Sequence, residues 1–235
     1  PQASAPESIL FDADLPVPVG DTLYFRCAGK RLCSSDPSGG SVSTLAGDLV
    51  TDLHGPLLAD DSAVYGLEGR AIVRVPFDGG APSTLTGDVW VQDLDVTPWG
   101  VVGDGYVYFV DGATRRLSRV SAAGGEPQTI VSKPVTSLAG IGVHGNSLVY
   151  NAGALYELKL GTSTPTPIAF DSGGDALRGS PVVLDPKSGD VYLTTIDGIV
   201  RIDAAFSTCS GAAVEWIDAG SASHLTVGRD GVYYT

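Results

Sequence analysis

The sequence predicts an all-β protein built from a repeated antiparallel unit of four short strands. Apolar and polar residues alternate over short runs between Gly, Pro and Asp turns, as in "AIVRVPFDGG", which is typical of antiparallel sheet. No stretch keeps apolar residues at the helical positions i, i+3, i+4 and i+7. Similar strands recur at intervals of 41 to 43 residues, each carrying a tyrosine, at Tyr24, Tyr65, Tyr108, Tyr150, Tyr192 and Tyr233.

Each period contains four segments in a constant order, which we label A (innermost) to D (outermost). Strand A is a run of small and aliphatic residues such as "GIGVHG", and strand B carries the tyrosine. Strand C alternates, as in "GIVRIDAAF", and a Pro/Gly turn leads to strand D, as in "APSTLTGD". Four strands in about 40 residues is the geometry of a β-propeller blade. We therefore predict one six-bladed domain, with blades at about 13–48, 49–88, 89–132, 133–171, 172–219, and 220–235 plus 1–12.

The pattern "D/G-x-V-Y-[FW]" followed by "R-[VI]-x-x-x-GG-x-P-x-x-L" resembles the six-bladed propellers of the TolB, YWTD and NHL type, especially their secreted bacterial members. The resemblance covers essentially the whole chain. It implies the fold, but it implies no shared chemistry, because receptors, scaffolds, lyases and lactonases all use this fold. The first period departs from the pattern, with Ser34 where Arg74 and Arg119 stand in the next two.

The last period, "HLTVGRDGVYYT", supplies strands A and B only. The N-terminal "APESILFDAD" is similar to the D-strand segment "APSTLTGD", so we expect the two ends of the chain to share the last blade. The missing strand leaves three alternatives: the N-terminal strand pairs with strand B, a longer chain supplies strand C, or another polypeptide inserts a strand there. The last alternative predicts a partner-strand edge formed by Ile9, Leu10, Phe11, Val232, Tyr233 and Tyr234.

Composition favours some partners and compartments over others. Lys+Arg 14 against Asp+Glu 27 gives a net charge of −13, which disfavours nucleic acid and anionic membranes. No apolar run is long enough to span a bilayer. The absence of Met and of a leader segment fits a mature secreted or periplasmic chain. Cys27 and Cys33 flank a hairpin tip and are either a disulfide or two buried thiols, and Cys209 has no evident partner.

Candidate site residues gather where the A strands begin, at the expected mouth of the central channel. Asp14, Asp52 and Asp93 each precede the leucine near the start of an A strand, and this column predicts either a Ca²⁺ site, a site for a cationic ligand, or Asp side chains that cap turns. Trp99 either stacks on a ligand ring or is buried. The full ligand-binding set is Asp14, Asp52, Asp93, Asp95, His54, His224 and Trp99.

The sequence favours a non-catalytic extracellular binding or scaffold module, which presents its loops to a protein, to a glycan or to copies of itself. This function needs no cofactor, or Ca²⁺ alone. The alternative is a lyase or a metal-assisted hydrolase at the channel mouth. In that case His224 acts as general base near Asp52 and Asp93, and a divalent ion polarises the substrate.

Overall fold

The computed structural model describes residues 16–27, 31–36, 38, 41–46, 53–87, 99–135, 138, 140–168, 182–185, 187–195, 197–203, 214–218, 225–228 and 231–234. Within these ranges the regular elements are β-strands and there is no helix, which confirms the predicted all-β class. The described residues accordingly include no helix with the length and apolar character needed to cross a bilayer.

Residues 1–88 form one compact unit, which contains two four-stranded sheets. The strands of each sheet pair antiparallel in chain order. Sheet 1 comprises β1 (Val17–Val19), β2 (Thr22–Cys27), β3 (Arg31–Ser35) and β4 (Ser43–Ala46). Sheet 2 comprises β5 (Leu53–Ala59), β6 (Ala63–Glu68), β7 (Ala71–Pro76) and β8 (Ser83–Thr86).

Residues 89–235 form a second compact unit, with three four-stranded sheets and one two-stranded sheet. Sheet 3 comprises β9 (Gly100–Gly103), β10 (Tyr106–Asp111), β11 (Arg116–Ser121) and β12 (Gln128–Val131). Sheet 4 comprises β13 (Gly140–His144), β14 (Ser147–Asn151), β15 (Leu155–Lys159) and β16 (Thr166–Pro167). Sheet 5 comprises β17 (Val182–Leu184), β18 (Val191–Thr195), β19 (Gly198–Ile202) and β20 (Val214–Asp218), and sheet 6 comprises β21 (Leu225–Gly228) and β22 (Gly231–Tyr234).

The predicted order of four strands per period is therefore observed in five sheets. In sheet 6 the described residues supply strands A and B, where the sequence predicts them. The predicted N-terminal D strand, Ile9–Phe11, lies outside the described residues. The shared last blade, the partner-strand edge and the single six-bladed domain all stay predictions.

The repeated tyrosines occupy one register position in all six sheets. Each lies opposite a residue of its innermost strand, in the pairs Tyr24–Val17, Tyr65–Leu58, Tyr108–Val101, Tyr150–Ile141, Tyr192–Val183 and Tyr233–Thr226. Because side chains alternate along a strand, a slip of one residue would turn each ring to the other face of its sheet. Tyr65, Tyr108 and Tyr150 are buried, which explains why the period keeps this register.

The apolar core lies between neighbouring sheets. In the first unit, one cluster joins Leu32 of sheet 1 to Leu57 and Val73 of sheet 2. In the second unit, one cluster joins sheets 3 and 4, and another joins sheets 4 and 5. Each fully buried large apolar side chain stabilises the fold by about 1.5–3 kcal/mol, so the faces between sheets are a major source of stability.

Glycine permits close packing of the innermost strands in the second unit. There β13 lies beside both β9 and β17. A Cβ at Gly103 would lie 2.8 Å from Cγ1 of Val143, and one at Gly142 would lie 2.5 Å from Cβ of Leu184. Both separations are too short for real carbon atoms. The small-residue A strands are therefore explained by the approach of one innermost strand to the next.

An irregularity of pairing between strands C and D recurs in four of the sheets. It lies between Leu32 and Cys33, Ile72 and Val73, Leu117 and Ser118, and Ile199 and Val200. A bulge bends the strand and increases its twist. In these four sheets the pairing of strand D with strand C therefore shifts at a similar point.

A disulfide joins Cys27 and Cys33, with the two Cα atoms 5.9 Å apart. The two residues are diagonal rather than directly opposite, because Cys27 pairs with Arg31 and Cys33 pairs with Phe25. Of the two alternatives that the sequence leaves open, a disulfide or two buried thiols, the structure therefore has the disulfide. The register of the β2–β3 hairpin sets the diagonal arrangement. Cys209 lies outside the described residues.

Candidate functional site

Most of the predicted channel-mouth residues lie outside the described residues, namely Asp14, Asp52, Asp93, Asp95 and His224. The backbone of His54 is described, as the second residue of β5, and its side chain is not. Among the described residues, no three His, Cys, Asp or Glu side chains come together as metal ligands would. The Ca²⁺ site and the catalytic interpretation therefore stay predictions.

Trp99 is placed in the protein interior, immediately before β9, with 2% of its surface exposed. This agrees with the burial alternative for Trp99. An indole that is closed off from solvent does not present a face on which a ligand ring can stack.

The repeat places charged groups beside the tyrosines. In sheet 2 four residues are connected by side-chain hydrogen bonds. Tyr65 lies opposite Arg74, and the Tyr65 hydroxyl donates to Oδ2 of Asp60 at 2.7 Å. Ser62 donates from its backbone and its hydroxyl to Oδ1 of Asp60, and Nη2 of Arg74 donates to Oγ of Ser62 at 3.3 Å. Burial raises the pKa of Tyr65, and the hydrogen bond to Asp60 raises it further.

Sheet 5 also places an arginine opposite its tyrosine, but here the arginine contacts the acids directly. Arg201 lies opposite Tyr192, and its guanidinium contacts Oδ2 of Asp190 at 2.7–2.8 Å and Oε2 of Glu215 at 3.0 Å. Hydrogen bonding to Asp190 raises the pKa of Arg201 above its ordinary value. The side chain of Asp190 is only 7% exposed, and a buried carboxylate needs such a partner.

Among the sheets whose third strand is described, sheets 1 and 4 have no arginine opposite the tyrosine, and a second aromatic ring packs on that tyrosine instead. Phe77 stacks on Tyr24 in the first unit, with ring centroids 4.3 Å apart. Tyr156 stacks on Tyr150 in sheet 4, at 5.6 Å. Burial, together with the neighbouring Tyr156, raises the pKa of Tyr150 to about 12. The repeated Tyr position is therefore a packing position in these sheets.

An open cleft of about 490 Å³ lies between sheets 3 and 4 of the second unit. Its volume is in the range of small-ligand and side-chain pockets. One wall comes from β11 and β12, and the other from β15 and the turn that follows it. The residues lining it are Arg119, Gln128, Thr129, Ile130, Leu158, Leu160, Gly161, Thr162, Ser163 and Thr164. We call this set the outer cleft.

The outer cleft is lined mainly by hydroxyl, amide and aliphatic groups. Thr129, Thr162, Ser163 and Thr164 are exposed, and hydroxyls can both donate and accept hydrogen bonds. The Thr162 hydroxyl already donates to the Lys159 carbonyl at 2.7 Å, so it is left as an acceptor. Arg119 is the single charged residue among the described residues that line the cleft. The cleft can therefore hold a ligand by hydrogen bonds on an apolar floor, with one positive charge at its edge.

A scan against protein-family models gives no match, and a search of curated proteins gives none either. Solved structures do match. A streptogramin B lyase has TM-score 0.60 and 14% identity over 91% of this chain and 72% of the lyase chain. The designed protein Ika8 has TM-score 0.60 and 12% identity over 93% and 66%, and a chain of the nidogen/laminin complex has TM-score 0.54 and 13% identity over 81% and 74%. These structures are β-propellers.

The chain has a β-propeller fold. At these identities the similarity shows the fold and does not extend to activity. The count of six blades and the TolB type stay predictions. In propeller terms, sheets 3 and 4 are consecutive blades of the second unit, and the outer cleft lies between their outer strands rather than beside the innermost ones.

Sequence reasoning did not find the outer cleft of this propeller. The predicted ligand residues lie near the innermost strands, and Arg119 enters the sequence pattern only as a repeated position. One signal was available: "LGTSTPTP" after β15 replaces the "GG" turn found at residues 79–80 and 124–125. A hydroxyl-rich segment in place of a short turn indicates a surface that differs from blade to blade.

Proposed function

We propose that this propeller is a non-catalytic binding module and that the outer cleft is its site for a protein partner. The composition of the cleft lining carries the proposal. Hydroxyls, one amide and one guanidinium on an aliphatic floor are groups that recognise a ligand through hydrogen bonds and packing. The cleft is open, so it can take part of a larger molecule.

The contacts within the blades support this proposal. Asp190 and Arg201 in sheet 5 form an ion pair inside their own sheet, and this pair stabilises its blade. Arg119 lies at the same register position in sheet 3, but its hydrogen-bond partner is the neutral amide of Gln128, so its charge is available to a ligand. The segments that differ between blades, such as the loop 161–164, can then recognise a ligand. This division of roles fits a rigid scaffold that presents variable surface loops.

The choice of a protein as partner has separate support. One structural neighbour comes from a complex of nidogen with laminin, in which a protein binds a protein. We further propose a secreted or periplasmic location. The Cys27–Cys33 disulfide supports it, because disulfides persist in oxidising compartments.

A substitution that fills the cleft tests the proposed function. The intact chain, the Ser163→Trp variant and the control Ala123→Trp are each used to select from a random-peptide display library and to probe a glycan array. Ala123 is exposed in the turn between β11 and β12 and does not line the cleft. We expect peptides that bind the wild type and Ala123→Trp but not Ser163→Trp. Failure to select peptides, or peptides that bind Ser163→Trp equally well, would contradict the proposal.

The alternative is a lyase or metal-assisted hydrolase that uses His224, Asp52 and Asp93. The streptogramin B lyase among the structural neighbours makes it worth testing. A divalent ion that binds only the folded state raises the melting temperature. A higher melting temperature in Ca²⁺ than in EDTA, abolished by Asp52→Asn and Asp93→Asn together, would favour the alternative. An unchanged melting temperature would count against a tight metal site.

A further inference from the structure

A strand edge forms one wall of the outer cleft. β12 is the last strand of sheet 3, and in the part of the chain that the structure describes it pairs with β11 alone. Three of its four residues, Gln128, Thr129 and Ile130, line the cleft. An outermost strand carries N–H and C=O groups on the side away from its neighbour. The cleft therefore offers backbone groups to which an added strand can bind.

The floor of the cleft suits the side chains of such a strand. The half-buried Ile130 and Leu160 supply the part of the floor that a ligand can contact. They pack against the apolar cluster between sheets 3 and 4, in which Leu158 is closed off from solvent. Side chains of an added strand would alternate between two faces. One face would meet this aliphatic floor, while the other would stay near solvent and the hydroxyls of residues 162–164.

The charge in the cleft selects among possible occupants. The described residues of the lining include Arg119 and no carboxylate, in a chain with 27 acidic residues. The guanidinium lies 4.3 Å from the centroid of the Tyr106 ring, and its Nε and Nη2 donate to Oε1 of Gln128 at 3.4 and 3.3 Å. These contacts orient Arg119 without neutralising its charge. A guanidinium is well suited to bind a carboxylate with two parallel hydrogen bonds.

We propose that the outer cleft binds an extended segment of the protein partner, which adds as a strand along β12 and places an Asp or Glu carboxylate against Arg119. This inference rests on the proposed function, since it names the kind of partner for the same cleft. Backbone pairing supplies affinity in this mode, and the side-chain contacts supply specificity. A glycan has no peptide backbone and cannot bind in this way.

Three synthetic peptides test the mode of binding on the intact chain. The first is an extended Thr/Val peptide with one central glutamate, the second has glutamine instead, and the third carries N-methyl groups on alternate backbone amides. Binding is followed by NMR shifts and hydrogen exchange of the Gln128–Val131 amides. We expect the first peptide to bind and slow this exchange, the second to bind about three- to tenfold more weakly, and the third not to bind.

The chain offers a matched control for Arg119. Arg74 lies opposite Tyr65 in sheet 2, as Arg119 lies opposite Tyr108 in sheet 3. Arg119→Gln should remove the preference for glutamate over glutamine, and Arg74→Gln should leave it unchanged. Melting temperatures of both variants show whether either loses its fold. If both preserve the preference, the carboxylate assignment is wrong.

The outcomes separate this inference from the proposed function. If library peptides depend on the open cleft but tolerate backbone methylation, or if the glutamate peptide does not bind, strand addition is overturned while the binding module stands. If the ligands that depend on the open cleft are glycans only, the inference is overturned together with the choice of a protein partner.

Discussion

Tyr65 donates its hydroxyl to Oδ2 of Asp60, five residues earlier in the chain, at 2.7 Å. Tyr108 stands at the same repeat position in sheet 3 and is equally buried, at 0% exposed, but among the described residues its hydroxyl has no partner at hydrogen-bond geometry. Burial raises the pKa of Tyr108, and the nearby Arg119 guanidinium acts to lower it. The two rings are therefore buried alike, but of the two hydroxyls only that of Tyr65 donates a hydrogen bond to an acid.

Replacement of each tyrosine by phenylalanine should separate these two contributions. Tyr65→Phe removes a hydrogen bond to a carboxylate and should lower the free energy of unfolding by about 1–3 kcal/mol. Tyr108→Phe removes an unsatisfied buried hydroxyl and should cost less than about 1 kcal/mol. Urea unfolding measures both. Equal losses would show that the Asp60 contact adds nothing to packing.

The stability conferred by Asp60 should depend on pH. Burial acts to raise the pKa of Asp60, but hydrogen bonds from Tyr65, Ser62 and Ala63 outweigh burial and leave that pKa below its ordinary value. A lowered pKa in the folded state stabilises the protein above the unfolded value of about 4, and this stability is lost as the pH falls through the folded value.

Asp60→Asn should therefore destabilise the protein most at neutral pH, and its difference from the wild type should narrow below about pH 4. Thermal unfolding across an acid series measures this difference. Asp61→Asn, at the exposed neighbouring position, is the control and should track the wild type. A constant difference for Asp60→Asn at every pH would contradict the linkage.

Gly142→Ala tests the close approach of β13 to β17. The added methyl would lie 2.5 Å from Cβ of Leu184, so we expect a loss of about 1–3 kcal/mol from overpacking. Gly87→Ala is the control, because nothing lies within 4 Å of a Cβ there. Chemical unfolding compares the two variants. Similar stabilities would mean that the innermost strands are not tightly packed.

Reduction of the Cys27–Cys33 disulfide should destabilise the protein modestly. The bridge closes a short loop, with a sequence separation of 6, and for such a loop the chain-entropy model gives about 2 kcal/mol. The melting temperature of the wild type should fall in dithiothreitol. The double variant Cys27→Ser and Cys33→Ser should melt at the same temperature with and without dithiothreitol. A wild type that is indifferent to dithiothreitol would contradict a structural role.

The sequence predicted the elements that repeat and missed those that occur once. The tyrosine spacing predicted the B strands, since the same strand pattern recurs in every period. It did not reveal the stacking of Phe77 on Tyr24 or of Tyr156 on Tyr150, which replaces the arginine in two sheets. Trp99 illustrates the limit: the sequence left both exposure and burial open, and the packing around β9 decided for burial.

The sequence by itself determined the strand type, the order of strands within each blade and the acidic charge of the surface, because alternation, turn residues and composition are local properties of the chain. Only the tertiary structure decided where a binding surface lies. The outer cleft forms where Gln128–Ile130 of sheet 3 lie near Leu158–Thr164 of sheet 4. The distance between two blades depends on how their faces pack. No local pattern in either segment encodes that distance.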